Sequence, residues 1–177
     1  LPAQFLSPII NTRTDEFGGS FENRMRFPMM ILKEVRSRVG NDKLVTMRLS
    51  GSERAEGGFT AEDMAEFLSY AQEYIDLVEI SCEVFTYNMA STYRPLGVNT
   101  EFSEIIKKSG KVHIPVYVVG SIIYPEQAEE IIETGKADGV SMSRALIADP
   151  YLPEKAFFGK TNDITPCLRC LNCTDGD

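Results

Sequence analysis

Apolar and polar positions along this chain follow two periods, and the chain switches between them repeatedly. In FENRMRFPMMILKEVRSRV, Met25, Met29, Leu32, Val35 and Val39 recur at helical spacing and predict one apolar helix face. Ser20 suits the N-cap, with Asn23 as a weak substitute for the Glu of a capping box. Pro28 is awkward inside a helix, so the helix proper is expected to begin near it. LVTMRLS (44–50) reads as a strand, and TAEDMAEFLSYAQEY as a helix capped by Thr60 with acidic residues in its first turn. IDLVEIS (75–81) is a second strand, and NTEFSEIIKKSG a third helix closed by Gly110. The near-continuous apolar run of IPVYVVG (114–120) predicts a strand buried on both faces. YPEQAEEIIETG is a helix with Pro125 near its start and Gly135 at its end. ADGVSMS (137–143) is a fourth, short strand, and YLPEKAFFG a last helix.

Repeated strand–helix units mean parallel strands joined by crossover helices, so the fold class is α/β. Four such strands suit either a small doubly wound sheet or half of an eight-stranded (β/α) barrel, which typically needs ~250 residues. No GxGxxG follows a strand, which counts against a dinucleotide-binding fold. The strands are expected to neighbour one another in chain order, curved as an arc.

Composition narrows the partners. The chain has 177 residues, enough for one domain with a sizeable core. Its net charge of −8 disfavours nucleic acid and anionic membrane surfaces. No apolar run approaches the ~20 residues of a membrane span, and LPAQFLSP lacks the basic-then-apolar pattern of a signal peptide. Three of the four cysteines crowd into PCLRCLNC, which suits a metal site in a reducing, cytoplasmic compartment better than a disulfide framework. Cys167, Cys170 and Cys173 at this spacing can wrap one face of an iron–sulfur cubane, while CxxC pairs also make zinc knuckles.

In parallel α/β barrels, chemistry collects just past the C-terminal strand ends. Arg48, between apolar neighbours in the first strand, is expected to be buried and to need an acceptor, either a structural ion-pair partner or an electron-rich ligand at the barrel mouth. Cys82, Glu83 and Tyr87 follow the second strand. Cys82 reads as a small buried hydrophobe, because no base is in reach. The only histidine, His113, lies at the opposite end of a strand and reads as structural or exposed. Gly120 and Ser121 end the third strand, and Ser143 and Arg144 follow the fourth, ahead of RALIADP, which reads as a short extra helix. That arrangement suits a phosphate held by backbone N–H groups and a charge-assisted bond. The alternative is a plain turn at Gly120 and a solvated Arg144.

QFLSPIINTRTDEFGGSFENRMRF (4–27) and DGVSMSRALIADP, with VTMRLSG, VEIS and VYVVGSI between them in order, resemble the flavin-dependent ene-reductases of the old yellow enzyme family. The likeness runs from residue 1 to about 173. The cysteine tail is similar to the branch that includes 2,4-dienoyl-CoA reductase, trimethylamine dehydrogenase and bile-acid enoate reductases, with a spacing most like the trimethylamine dehydrogenase form. The resemblance implies that residues 1–160 form the C-terminal half of an FMN-binding (β/α)8 TIM barrel and that 161–177 begin an iron–sulfur segment. It also implies that the catalytic acid precedes Leu1, that a fourth cluster cysteine follows Asp177, and that FAD and NAD(P)H domains belong to the parent. Two departures stand out: Ser121 and Ser143 replace usual glycines, and Phe17 replaces a tyrosine.

By the same resemblance, Arg48 lies at the pyrimidine edge of FMN, and Gly120, Ser121, Ser143 and Arg144 hold its phosphate. Cys167, Cys170 and Cys173 ligate a [4Fe–4S] cluster. Glu83, Tyr87, Asn88, Tyr93 and Arg94 border the substrate or hydride-donor site. Asn11, Arg13, Asp15, Glu22, Asn23 and Arg24 form a structural loop network. The implied activity is NAD(P)H-driven reduction of an activated C=C bond in a small-molecule substrate, with electrons passing by FAD and the cluster to FMN. The alternatives are an amine dehydrogenase, or an Fe–S or zinc interaction module without catalysis. Alone, the chain is expected to be inactive, to pair with the remainder of its barrel or another copy, and to leave the tail beyond about Pro166 mobile, because it is too polar to dock without its metal.

Overall fold

The computed structural model describes residues 2–82 and 94–173. Its centre is one sheet of four parallel strands: β1 (Thr46–Ser50), β2 (Leu77–Ser81), β3 (Val116–Val119) and β4 (Gly139–Ser141), side by side in chain order. The helices are α1 (Pro2–Leu6), α2 (Phe21–Val39), α3 (Ala61–Ala71), α4 (Thr100–Lys108), α5 (Pro125–Glu133), α6 (Arg144–Ala148) and α7 (Leu152–Phe157), followed by a 3-10 turn at Thr161–Asp163. The strand–helix alternation and neighbour order are those expected from the sequence. Among the described residues no helix is long and apolar enough to cross a membrane.

Strand parity divides the sheet into two different faces. Leu49, Val78, Ile80, Val116 and Val118 point to the helical side and are buried. There they meet Met64, Phe67, Leu68, Phe102 and Ile106, the apolar stripes of α3 and α4. Arg48, Glu79, Tyr117 and Gly139 share the other face in one row across the strands. That face is only partly covered, which corrects two expectations. Tyr117 and Val119 are half-buried, so β3 is not buried on both sides, and the Arg48 side chain is 56% exposed. Both expectations were read from apolar neighbours along the strand, which do not show whether this face has a cover. Gly139 is required by its neighbour, since a Cβ there would lie 2.5 Å from the Tyr117 ring.

Helix α2 starts earlier than Pro28 suggests. The Ser20 hydroxyl accepts the Asn23 N–H at 3.3 Å, and the helix runs unbroken through Pro28, which is fully buried. The proline forfeits one backbone bond but places its ring in the core. The apolar face turns accordingly. Met25, Pro28 and Leu32 are buried, whereas Val35 and Val39 are 37% exposed. In the last turns Arg36 faces inward instead, donating to Tyr74 O (3.1 Å), Gly40 O and Lys43 O (3.0 Å each), and pairing with Asp76 (2.6 Å). Thr60 and Asp63 form a full capping box on α3.

Carboxylates fasten the N-terminal strand ends. Asp76, just before β2, accepts the Val45 N–H at 2.7 Å, and its own N–H donates to Val45 O at 2.8 Å. Asp138, just before β4, does the same to Val116, at 2.8 Å each way, and pairs with Lys107. The N–H of Val45 and the Arg36 guanidinium hold Asp76 below the usual carboxylate range.

Two outcomes follow. A group with a depressed folded pKa stabilises above its unfolded value, about 3.9 for Asp, and that contribution is lost as pH falls through the folded pKa. Asp76→Asn should therefore lower the denaturant midpoint at pH 7 and narrow its difference from the unmodified protein at pH 3; an equal deficit at both would refute the assignment. Phe67→Ala, at a fully buried position, should cost about 3–5 kcal/mol in chemical denaturation.

Candidate functional site

The loops after the strands carry the side chains with chemistry, and the register decides which of them meet. Val119 pairs with Ser141, so Gly120–Ser121 and the segment entering Ser143–Arg144 leave neighbouring strands side by side. Adjacent strands lie about 4.8 Å apart. Gly120 has φ +143 and Ser121 φ +51, both in the region where side chains are disfavoured. A Cβ at Gly120 would stand 2.6 Å from Asn99 Nδ2, which donates to Val119 O at 2.6 Å, so the turn is packed from beneath by a buried asparagine. Ser121 is buried, Ser143 is exposed at the start of α6, and Arg144 is half-buried. Two tight turns, two hydroxyls and one guanidinium at one sheet end suit a phosphate in size and charge.

On the inner face, Arg48 Nη1 pairs with Glu79 Oε1 at 2.8 Å, and the Ser141 hydroxyl donates to Glu79 Oε2. The acceptor expected for Arg48 is therefore Glu79, one strand over in register. Sequence reading passed over Glu79 and Ser141. The signal was there: a charge inside the apolar LVEIS run, on the same parity as Arg48.

Cys82 follows β2, half-buried, with its thiol donating to Ser52 O at 3.2 Å. Burial pushes the thiol up, against the opposing pull of the Arg54 and Arg94 cations, and this fits the inert reading. Arg54 braces the loop above, stacked 4.3 Å over Phe102, donating to Val98 O (2.6 Å) and pairing with Glu101 (2.7 Å). His113 is exposed at the far strand end, as expected. The loop network is structural. Asn11 donates to Phe5 O and Phe17 O (2.8 and 2.7 Å), Arg24 to Leu6 O (2.9 Å), Asn23 to Gly18 O (3.1 Å), and Arg13 pairs with Asp15. Glu83, Tyr87, Asn88 and Tyr93 lie outside the described residues.

The cysteine segment touches the rest of the chain at Thr165, Cys167 and Arg169. Cys167 is half-buried against Ile123, Ala145 and Leu152, with Met142 and Ile164 beside it. The Thr165 N–H donates to Asp149 at 2.9 Å, and Arg169 Nη2 donates to Arg94 O at 2.8 Å. Within the tail beyond Pro166, Cys167 has an apolar contact and Arg169 a polar one, while Thr165 is held just before it. Cys170 and Cys173 are exposed. Among the described residues no three metal-capable side chains converge on one point. The donor set still fits a thiophilic metal. The Arg169 N–H points at Cys167 Sγ (3.4 Å), and Arg169 and Leu171 take left-handed φ values of 58° and 68° that coil the backbone between the thiols.

The chain is 40% identical to an NADH oxidase of Thermoanaerobacter brockii over 99% of its own length and 28% of that relative's. It superposes on 2-naphthoyl-CoA reductase, solved with 2-naphthoyl-CoA, with TM-score 0.88 and 36% identity, covering 97% of this chain and 26% of that one. It also superposes on the old yellow enzyme homologue of Zymomonas mobilis with TM-score 0.66 and 25% identity, covering 90% and 43%. The chain thus spans about a quarter of the length of the first two relatives. Residues 1–162 match the pattern of one family of flavin enzymes, and the chain belongs to the NADH:flavin oxidoreductase / NADH oxidase family.

Proposed function

We propose that this chain is one side of an FMN site in an oxidoreductase that reduces an activated C=C bond, such as that of an enoyl, dienoyl or enone substrate, with electrons from NAD(P)H entering by way of FAD. Residues 1–160 are then the C-terminal half of the FMN barrel, and 161–177 begin an iron–sulfur segment. The observation that carries the reading is the placement of Arg48 on the inner face of a parallel sheet whose adjacent strand ends present Gly120–Ser121 and Ser143–Arg144.

FMN, when bound, supplies the hydride chemistry and the electron storage. The chain's own residues bind and orient it. Gly120 makes the positive-φ turn that would direct backbone N–H groups toward a phosphate, Ser121 and Ser143 offer small hydroxyl donors, and Arg144 neutralises phosphate charge. Arg48 sets a cation where negative charge on a reduced ring needs one. Glu79 holds that guanidinium in place, and Ser141 holds Glu79. Cys167, Cys170 and Cys173 would hold a [4Fe–4S] cluster together with one more thiolate, and the cluster would supply one-electron transfer. The Glu83–Tyr93 loop is the proposed border of the substrate site.

Two measurements test this. Arg144→Ala in the full-length protein should weaken FMN retention about tenfold or more, the loss of a charge-assisted bond of roughly 1.5–3 kcal/mol; unchanged flavin occupancy after dilution and gel filtration would remove Arg144 from the site. Anaerobic reconstitution with iron and sulfide should give a broad visible absorption that is lost when Cys170 and Cys173 are both changed to Ser. Stoichiometric zinc without that absorption would replace the cluster by a zinc knuckle.

A further inference from the structure

Asp149 closes α6 and is 4% exposed, yet its carboxylate is not part of the phosphate or inner-face groups. It receives three donors from three places. Lys155 Nζ on α7 lies at 2.6 Å, the Tyr151 N–H at the start of α7 at 3.1 Å, and the Thr165 N–H from the cysteine segment at 2.9 Å. Lys155 Nζ also donates to Asp163 O at 2.8 Å. One ion pair therefore grips the segment on both sides of residue 164. Two residues beyond Thr165, Cys167 enters the cluster formed by Ile123, Ala145 and Leu152. Ile123 comes two residues after Ser121, and Ala145 directly follows Arg144. Two residues span at most about 7 Å of chain. The bonds at Thr165 thus hold Cys167 near Ile123 and Ala145, close in sequence to both segments proposed for the phosphate.

We propose that Asp149, with Lys155, is a positioning residue for the metal site: it places Cys167 as a preset first ligand beside the flavin-phosphate turns. The inference rests on the cysteine reading given above. A site with one ligand already placed orders fewer groups on binding and holds its metal longer. Asp149 is buried and Lys155 partly exposed, so removing Lys155 leaves the buried carboxylate without its cation and removing Asp149 frees Thr165, and the anchor fails as a unit.

The test uses the full-length protein, reconstituted anaerobically with iron and sulfide, and follows iron release to a chelator while FMN content is measured in parallel. Asp149→Asn and Lys155→Met should each release iron about tenfold faster, as expected for loss of a charge-assisted bond, and the double variant should be no faster than either. FMN content should be unchanged. Lys155→Arg, which keeps the charge, should restore slow release. Unmodified release rates in both Asn and Met variants would overturn the proposal, and so would parallel loss of FMN and iron, which marks a general folding role. If the unmodified protein takes up no iron, the cysteine reading falls first, and the positioning role falls with it.

Discussion

Everything above depends on a carboxylate placed one step before a strand. Asp76 and Asp138 each reach back to the start of the strand laid down before their own, take an N–H there from Val45 or Val116, and return their own N–H to the same residue. A cation on the helix before that earlier strand, Arg36 or Lys107, completes each staple. A parallel pair has no hairpin turn to fix its register, so something else must. Here it is a side chain acting as a third strand-end bond. A slip of one residue would turn Arg48 and Glu79 into the apolar layer and expose Leu49 and Ile80.

The same staple occurs twice, once in the unit from α2 to β2 and once in the unit from α4 to β4. Both leave the opposite strand ends free of register duty. Those ends can then carry strained turns such as Gly120–Ser121, whose positive φ values would be poor foundations for a sheet. Structural polar groups gather at one end of the sheet, and candidate binding groups at the other.

What the sequence showed, and what it hid, follows from the range of each interaction. Elements were legible because period and caps are local: Thr60, Gly110, Pro125 and Gly135 sit where the expectation put them. The start of α2 was misread because a local rule about Pro28 met a tertiary gain, the burial of its ring. Burial of Arg48 and of both faces of β3 was misread because a strand's sequence does not say whether its inner face has a cover. Glu79, Asp149 and Lys155 were passed over because each matters through partners far away in the chain or brought round by a turn. The grip of Asp149 on Thr165 spans sixteen residues, and the bond of Ser141 to Glu79 spans sixty-two.

Gly139 carries one more consequence. Its missing side chain is filled by the ring of Tyr117 from the adjacent strand. The two positions therefore share one allotment of volume on the inner face, and neither is free to change alone. Among related chains, a side chain at the position of Gly139 calls for a smaller group at that of Tyr117. The pair should trade bulk back and forth, recording in sequence variation how much space the inner face must keep open.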